Sequence, residues 1–183
     1  ALKKEKLSPQ HYKEMIQSTT QLNTVGAQLG ADSSVHALTD ITGFGLAGHL
    51  LEIARGSDLD AVVSALALPV LPGVKELIAQ GHFTGASTRN WEGYGNAVAI
   101  APELPDEIKT LITDPQTSGG LLACVAPDAA DRVLTFKLNV PYAPNGLIEA
   151  IEYANDLGDK LNVEYVPSFL AFATACMNDV DFP

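Results

Sequence analysis

The chain has 183 residues, of which 46% are hydrophobic and 18% are charged, and its formal net charge is -11. This size and composition predict one soluble globular domain with a sizeable core. The acidic balance argues against unaided binding of nucleic acid, because no basic face is available to neutralise phosphates. No apolar run has the length of a membrane span, and the lysine-rich start lacks the apolar core of a signal peptide.

The first predicted element is an amphipathic helical stretch over residues 2–29. Within it, Ser8 followed by Pro9 predicts a helix start, because proline suits the first turn of a helix. The extended run over residues 35–38 then predicts a short strand.

The segment 39–50, the first motif, places an acid at the end of that strand and glycines at the start of a helix. Asp40 would project its carboxylate toward the edge of the sheet, where a hard cation such as Mg²⁺ finds oxygen ligands. The glycines would let backbone approach a ligand closely, and a helix N-terminus attracts anions such as phosphate. In a competing interpretation, Thr39 or Asp40 only caps the helix and the glycines serve close packing.

The helix after these glycines is predicted over residues 46–54. His49 lies on it beside Leu50 and Leu51, a setting in which a histidine is usually a packed, hydrogen-bonded core residue. We therefore assign His49 no catalytic role.

Helices and strands continue to alternate along the chain. The predicted elements are a strand over residues 59–66, a short helix beginning near residue 73, a strand over 96–101, a helix over 105–112, a strand over 121–126 and a helix over 127–134. This order predicts an α/β (α+β) fold with a mixed β-sheet covered by helices, rather than a helix bundle.

The segment 114–120, the second motif, is a polar, glycine-rich connection that enters the strand at residue 121. Asp114 and Ser118 can bond to nearby amides and shape a turn, while the two glycines permit backbone angles that other residues avoid. A tight turn that joins two elements and a loop that contacts a ligand explain this composition equally well.

The two cysteines indicate no chemistry of their own. Cys124 lies in an apolar run and is interpreted as a small buried side chain, and Cys176 has no histidine nearby. Because no zinc-ligand spacing or disulfide framework is present, we expect a reducing, cytoplasmic setting.

The two motifs together resemble the C-terminal domain of the selenide, water dikinase family, also called the selenophosphate synthetases, within the aminoimidazole ribonucleotide synthetase-like superfamily. The resemblance rests on Thr-Asp-Ile-Thr-Gly-Phe-Gly-Leu-Ala-Gly-His-Leu and Asp-Pro-Gln-Thr-Ser-Gly-Gly-Leu-Leu. Residues 69–74 and 81–94, the latter with Thr88-Arg89-Asn90, resemble the segments between them. The resemblance covers about residues 1–137.

This resemblance implies a mixed sheet beneath helices and an enzyme that converts selenide and ATP to selenophosphate, AMP and orthophosphate with Mg²⁺. It implies that Asp40 joins aspartates of an N-terminal nucleotide-binding domain in binding Mg²⁺. Thr42, Gly43 and the second motif are candidate supports of that site. Full-length family members dimerise chiefly through their N-terminal halves, so a homodimer is a possible assembly.

The family's N-terminal domain, with its reactive cysteine or selenocysteine and its essential lysine, has no counterpart in this sequence. We therefore place no catalytic residue in this chain, leave its ATP-binding residues unassigned, and expect the chain alone to be inactive. The selenium donor and the complete set of metal ligands also stay unassigned.

Residues 138–183 are predicted to form a divergent acidic tail packed on the domain of residues 1–137. Residues 146–161 predict a helix with an acidic, solvated face.

Two other functions stay open. One is another ATP-dependent enzyme of the superfamily, such as aminoimidazole ribonucleotide synthetase or thiamine monophosphate kinase. The other is a catalytically silent interaction or regulatory module.

Overall fold

The computed structural model describes residues 1–130, 132–133, 163–166 and 170–173. In these residues the α-helices are α1 (Pro9–Thr19), α2 (Val25–Leu29), α3 (Gly45–Ser57), α4 (Val74–Ala79), α5 (Gly85–Tyr94) and α6 (Glu107–Ile112). The strands are β1 (Val35–Asp40), β2 (Leu121–Val125), β3 (Val163–Val166) and β4 (Leu170–Ala173). Short 3-10 turns lie at Leu2–Lys4, Ala65–Ala67, Gly95–Ala97 and Pro127–Ala129.

The strands form one mixed sheet in the order β1-β2-β4-β3. β1 runs antiparallel to β2, β2 runs parallel to β4, and β3 runs antiparallel to β4. The predicted class, an α/β fold with a mixed sheet covered by helices, is confirmed.

Strand β2 lies at the centre of the core because both of its faces are covered. Alternate residues of a strand point to opposite faces, and all of Leu121–Val125 is buried. Leu122 and Cys124 pack with residues of α3 and α6, whereas Leu121, Ala123 and Val125 pack against Leu29 of α2 and the residues after β2. Strand β2 therefore has helical residues against each face, which explains its continuous apolar run in the sequence.

Helix α1 begins where the sequence predicts. The Ser8 hydroxyl accepts a hydrogen bond from the His11 amide at 3.1 Å, and Pro9 occupies the first turn. The predicted single stretch over residues 2–29 is nevertheless wrong, because it is divided among a 3-10 turn, α1 and α2. Glu5 has a left-handed backbone (φ 55°), and the Thr20 hydroxyl bonds back to the Ile16 carbonyl at the end of α1.

The strands predicted over residues 59–66 and 96–101 are absent from the described structure. Residues 59–64 have no regular structure and lead into the turn Ala65–Ala67, while Gly95–Ala97 is a 3-10 turn. Val63, Val98 and Ile100 still pack against the core. Burial of apolar side chains thus occurs without a paired strand, since β-propensity reflects packing on a pleated surface rather than a backbone preference.

The helix predicted over residues 127–134 is partly observed, as the turn Pro127–Ala129 followed by helical residues at 130 and 132–133. Residue 134, the boundary at residues 137 and 138, and the helix predicted over 146–161 lie outside the described residues. The described helices include none that is long and apolar enough to cross a membrane.

Candidate functional site

The fold brings the two sequence motifs together by backbone pairing. The Ile41 amide donates a hydrogen bond to the Gly120 carbonyl at 2.7 Å, and the Gln116 amide donates to the Thr42 carbonyl at 3.0 Å. Asp40, the last residue of β1, stands opposite Leu121 in the antiparallel register. The turn after β1 and the loop before β2 therefore form one unit at this end of the sheet.

Two glycines make this contact possible. Gly45 has φ +70°, and a Cβ atom built on it would lie 2.7 Å from the Thr113 carbonyl carbon and 2.9 Å from the Ile112 carbonyl oxygen. A Cβ atom on Gly119 would collide with the Ile41 carbonyl oxygen. Gly45 of the first motif and Gly119 of the second therefore allow two backbone segments to approach each other closely. This agrees with the competing interpretation, in which the glycines serve close packing.

Asp40 is exposed at the end of β1. The described residues contain no group of three or more His, Cys, Asp or Glu side chains arranged to hold a metal ion. Mg²⁺ is commonly held by one or two protein carboxylates together with phosphate oxygens and water. A single accessible carboxylate fits one ligand of such a shared site, and it does not by itself constitute the site.

Thr42 is held from the side of α3. Its hydroxyl lies 3.2 Å from Nε2 of His49, a residue that is 8% exposed. Nδ1 of the same ring lies 3.2 Å from a carboxylate oxygen of Glu52, a charge-pair distance without the alignment of a hydrogen bond. Phe44 flanks the ring at 5.8 Å between ring centroids. His49 is thus a packed, hydrogen-bonded residue, as interpreted from the sequence.

Helix α5 holds the turn between β1 and α3, residues 41–45 and here called the glycine turn, from the other side. The Asn90 side-chain amide donates to the carbonyls of Gly43 at 2.9 Å and Thr113 at 3.0 Å, and so links the two motifs. Tyr94, one turn later on the same helix, donates its hydroxyl to the Phe44 carbonyl. Burial raises the pKa of the Tyr94 hydroxyl, which therefore stays protonated and able to donate.

A buried hydroxyl pair joins α5 to the residue before the second motif. The Ser87 and Thr113 hydroxyl oxygens lie 2.6 Å apart, and these residues are 3% and 1% exposed. The Thr113 hydroxyl oxygen also lies 2.8 Å from the Lys109 carbonyl, and that of Ser87 lies 3.1 Å from the Thr110 carbonyl. Because each hydroxyl has one proton, one of the two donates to the other hydroxyl and the other donates to its carbonyl. The last turn of α6 is therefore fixed relative to α5.

The second motif lines a cavity of about 390 Å³ that Met15 and Thr19 of α1 and Leu71 also line. Asp114 faces this cavity, and burial raises the pKa of its carboxyl group to about 6. Asp40 does not line the cavity. The structure thus places the two acids of the motifs in different surroundings, one open to solvent and one half-buried.

Cys124 has the surroundings that the sequence predicts. It is buried in β2 as a free thiol, and burial raises its pKa. A thiol with a raised pKa in an apolar core is a poor nucleophile. Cys176 lies outside the described residues.

Several positioning residues were not identified from the sequence: Asn23, which donates to the Gly119 carbonyl at 2.9 Å, and Ser87, Asn90, Tyr94 and Thr113. Their partners lie far away along the chain, so local pattern gives little indication of them. The one usable signal was the spacing of Asn90 and Tyr94, which places both on one face of a helix.

Comparison with known proteins finds a match over residues 2–136 to the family described as AIR synthase related protein, C-terminal domain. The chain is 55% identical over 134 residues to a selenide, water dikinase of Burkholderia orbicola (strain MC0-3), covering 73% of the chain and 38% of the relative. It is 56% identical over 134 residues, with the same coverage, to the Paraburkholderia xenovorans (strain LB400) selenide, water dikinase.

A selenide, water dikinase of Pseudomonas straminea is 50% identical over 150 residues, which is 82% of the chain and 41% of the relative. The chain therefore spans about two fifths of the length of the curated relatives that it matches.

Proposed function

Because this chain belongs to the family of AIR synthase related C-terminal domains, we propose that it is the C-terminal part of an ATP-dependent selenide, water dikinase. The complete protein converts ATP, selenide and water to selenophosphate, AMP and orthophosphate. The observation that carries the proposal is the joining of the two motifs by backbone hydrogen bonds beside the exposed Asp40. The identity to proteins named selenide, water dikinase supports the choice of reaction.

In this proposal Asp40 contributes one carboxylate to a Mg²⁺ site whose other protein ligands belong to an N-terminal nucleotide-binding domain. Mg²⁺ neutralises charge on the phosphates of ATP when it is bound. The chain's own part is positional. Pairing of β1 with β2 fixes the backbone at Asp40, while His49 and Asn90 support the turn that follows.

The remaining assignments follow from the same proposal. Residues 1–137 form the synthetase-like domain, and residues 138–183 form a tail that packs on it, which the pairing of β4 with β2 supports. The enzyme acts in the cytoplasm, where selenide stays reduced, and the complete protein assembles as a homodimer. No catalytic nucleophile comes from this part of the chain.

The first experiment is the reaction of the complete protein with ATP and selenide, followed by ³¹P NMR. Selenophosphate, AMP and orthophosphate should form together, and none should form when selenide is omitted. ATP cleavage without selenide dependence would favour another ATP-using enzyme of the superfamily. An absence of ATP cleavage would favour the interaction or regulatory module.

Asp40 is tested in the same complete protein by Asp40→Asn. We expect at least a tenfold loss of turnover at limiting magnesium, because the change removes an anionic oxygen ligand at nearly constant volume. Asp60→Asn, at another exposed aspartate, is the matched control and should retain the wild-type rate. Equal magnesium dependence in the wild type and the Asp40 variant would contradict the assignment.

A further inference from the structure

His49 supports the turn after Asp40 in the proposed function, but its contacts point to a more specific role. It is buried on α3, yet both ring nitrogens face a polar partner, Thr42 on one side and Glu52 on the other. Thr42 in turn stands at the junction of the two motifs, since its carbonyl accepts the Gln116 amide at 3.0 Å and the Gly45 amide at 3.1 Å. The ring therefore connects an exposed carboxylate to the backbone junction beside Asp40.

The two contacts decide which nitrogen carries the proton in neutral His49. The Nδ1 contact is not aligned as a hydrogen bond, but the negative charge of an ionised carboxylate 3.2 Å away favours a proton on Nδ1 rather than a lone pair. Nε2 then presents a lone pair, and the hydroxyl at 3.2 Å from it must act as the donor. Among the described residues, the Thr42 hydroxyl has no second hydrogen-bond partner.

We propose that His49 is a positioning residue that sets the hydrogen-bond polarity of Thr42. With its proton directed inward to Nε2, the Thr42 hydroxyl presents only lone pairs to a ligand. It then receives a hydrogen-bond donor, such as a water molecule or an N–H group, and does not donate to a phosphate oxygen. The glycine turn would thus orient a hydrogen-bond donor of the ligand at the Thr42 hydroxyl, although the glycine-rich composition of the turn alone suggests an anion site.

The tautomer can be measured on the chain itself by ¹⁵N NMR of histidine-labelled protein at pH 8, with His49→Asn used to assign the signals. We expect a protonated Nδ1 and an unprotonated Nε2 for His49. The opposite tautomer would overturn the proposal, because Nε2 would then donate to Thr42 and free the hydroxyl proton. This readout is independent of any enzymatic activity.

A second test uses two variants that differ in reach. In His49→Gln the side-chain oxygen extends to about the place of Nε2 and can still accept the Thr42 proton, whereas in His49→Asn it reaches only about the place of Nδ1. In the complete protein we expect His49→Gln to keep at least about half of kcat and His49→Asn to lose about tenfold, with smaller changes in KM for ATP. His36→Asn, at an exposed position of β1, is the matched control.

If His49→Asn does not fold, Thr42→Ser and Thr42→Val test whether the Thr42 hydroxyl is needed at all, and the tautomer of His49 in the wild type decides its polarity. Serine retains the hydroxyl, and valine replaces it with a methyl group of similar size, so only the valine variant should lose activity. Equal activity of Gln and Asn at residue 49, or of Ser and Val at residue 42, would overturn the proposal.

The activity tests rest on the proposed function. Without selenide-dependent ATP cleavage by the wild type that function fails, while the tautomer still decides the role of His49.

Discussion

Asp114 has a half-buried carboxylate whose ionisation opposes folding. Burial raises the pKa of the group from 3.8 to about 6. Among the described residues, no group donates a hydrogen bond to this carboxylate to offset the loss of water. The folded state therefore binds the Asp114 proton more tightly than the unfolded state does, and this contribution to stability falls as pH rises from about 4 through 6.

Asp114→Asn tests this account. We expect the substitution to raise the free energy of unfolding by about 1 to 2 kcal/mol at pH 8, allowing for solvent screening of a half-buried group, and to change it much less at pH 4. Urea unfolding of the chain at both pH values measures the difference. If the free energy of unfolding depended on pH equally in both proteins, burial would not raise the pKa of Asp114 in the folded state.

Asp32 shows the opposite electrostatic behaviour at the start of β1. Its carboxylate accepts hydrogen bonds from Arg132 at 2.5 and 3.1 Å and from the Ser34 hydroxyl at 2.6 Å. These contacts hold the pKa of Asp32 well below its usual range. The ion pair joins the turn before β1 to the residues after β2, so it supports the same strand pairing that carries Asp40.

At the scale of elements, the arrangement depends on the turn between β1 and α3. Gly43 and Gly45 stand two residues apart in this turn but have different surroundings. Gly45 has φ +70° and backbone atoms of residues 112–114 against it, whereas a Cβ on Gly43 would meet no atom within 4 Å. Only one of the two glycines is therefore required by the packing.

This difference predicts unequal effects of alanine. We expect Gly45→Ala to lower the free energy of unfolding by about 3 kcal/mol, because it combines an unfavourable backbone angle with a collision against backbone that cannot move away. Gly43→Ala is the control within the same turn and should change stability by less than about 0.5 kcal/mol. Urea unfolding followed by circular dichroism measures both, and similar losses would indicate that the turn as a whole is sensitive to side chains.

At the scale of the whole molecule, the described residues offer one accessible carboxylate at the junction of the motifs, and they hold no cluster of metal ligands. Catalysis of phosphoryl transfer depends on positioning and on several charges acting together. The proposed reaction therefore calls for further ligands, which the proposal assigns to an N-terminal domain.

We expect the chain alone to form no AMP from ATP and selenide at concentrations where the complete protein is active. Adding a separately produced N-terminal domain should restore part of the activity, and a chain carrying Asp40→Asn should restore at least tenfold less. The assay is AMP release with and without selenide. Turnover by the isolated chain at the rate of the complete protein would contradict a shared site.

The sequence by itself determined the features that depend on neighbours along the chain. Ser8 and Pro9 predicted the start of α1, the apolar run predicted β2, and the motifs located Asp40 at the end of β1. Capping, proline geometry and hydrophobic patterning act over a few residues, so they can be read without knowledge of the fold.

Only the tertiary structure decided the rest. Residues 59–64 have the composition of a strand but no partner in the described sheet, and a strand requires hydrogen bonds from a distant part of the chain. Likewise, the support of the glycine turn by Asn90 and the pairing of Ser87 with Thr113 join elements that are far apart in sequence. These contacts exist because α3 and α6 pack against β2 and α5 packs against α3 and α6, and local propensity does not encode that approach.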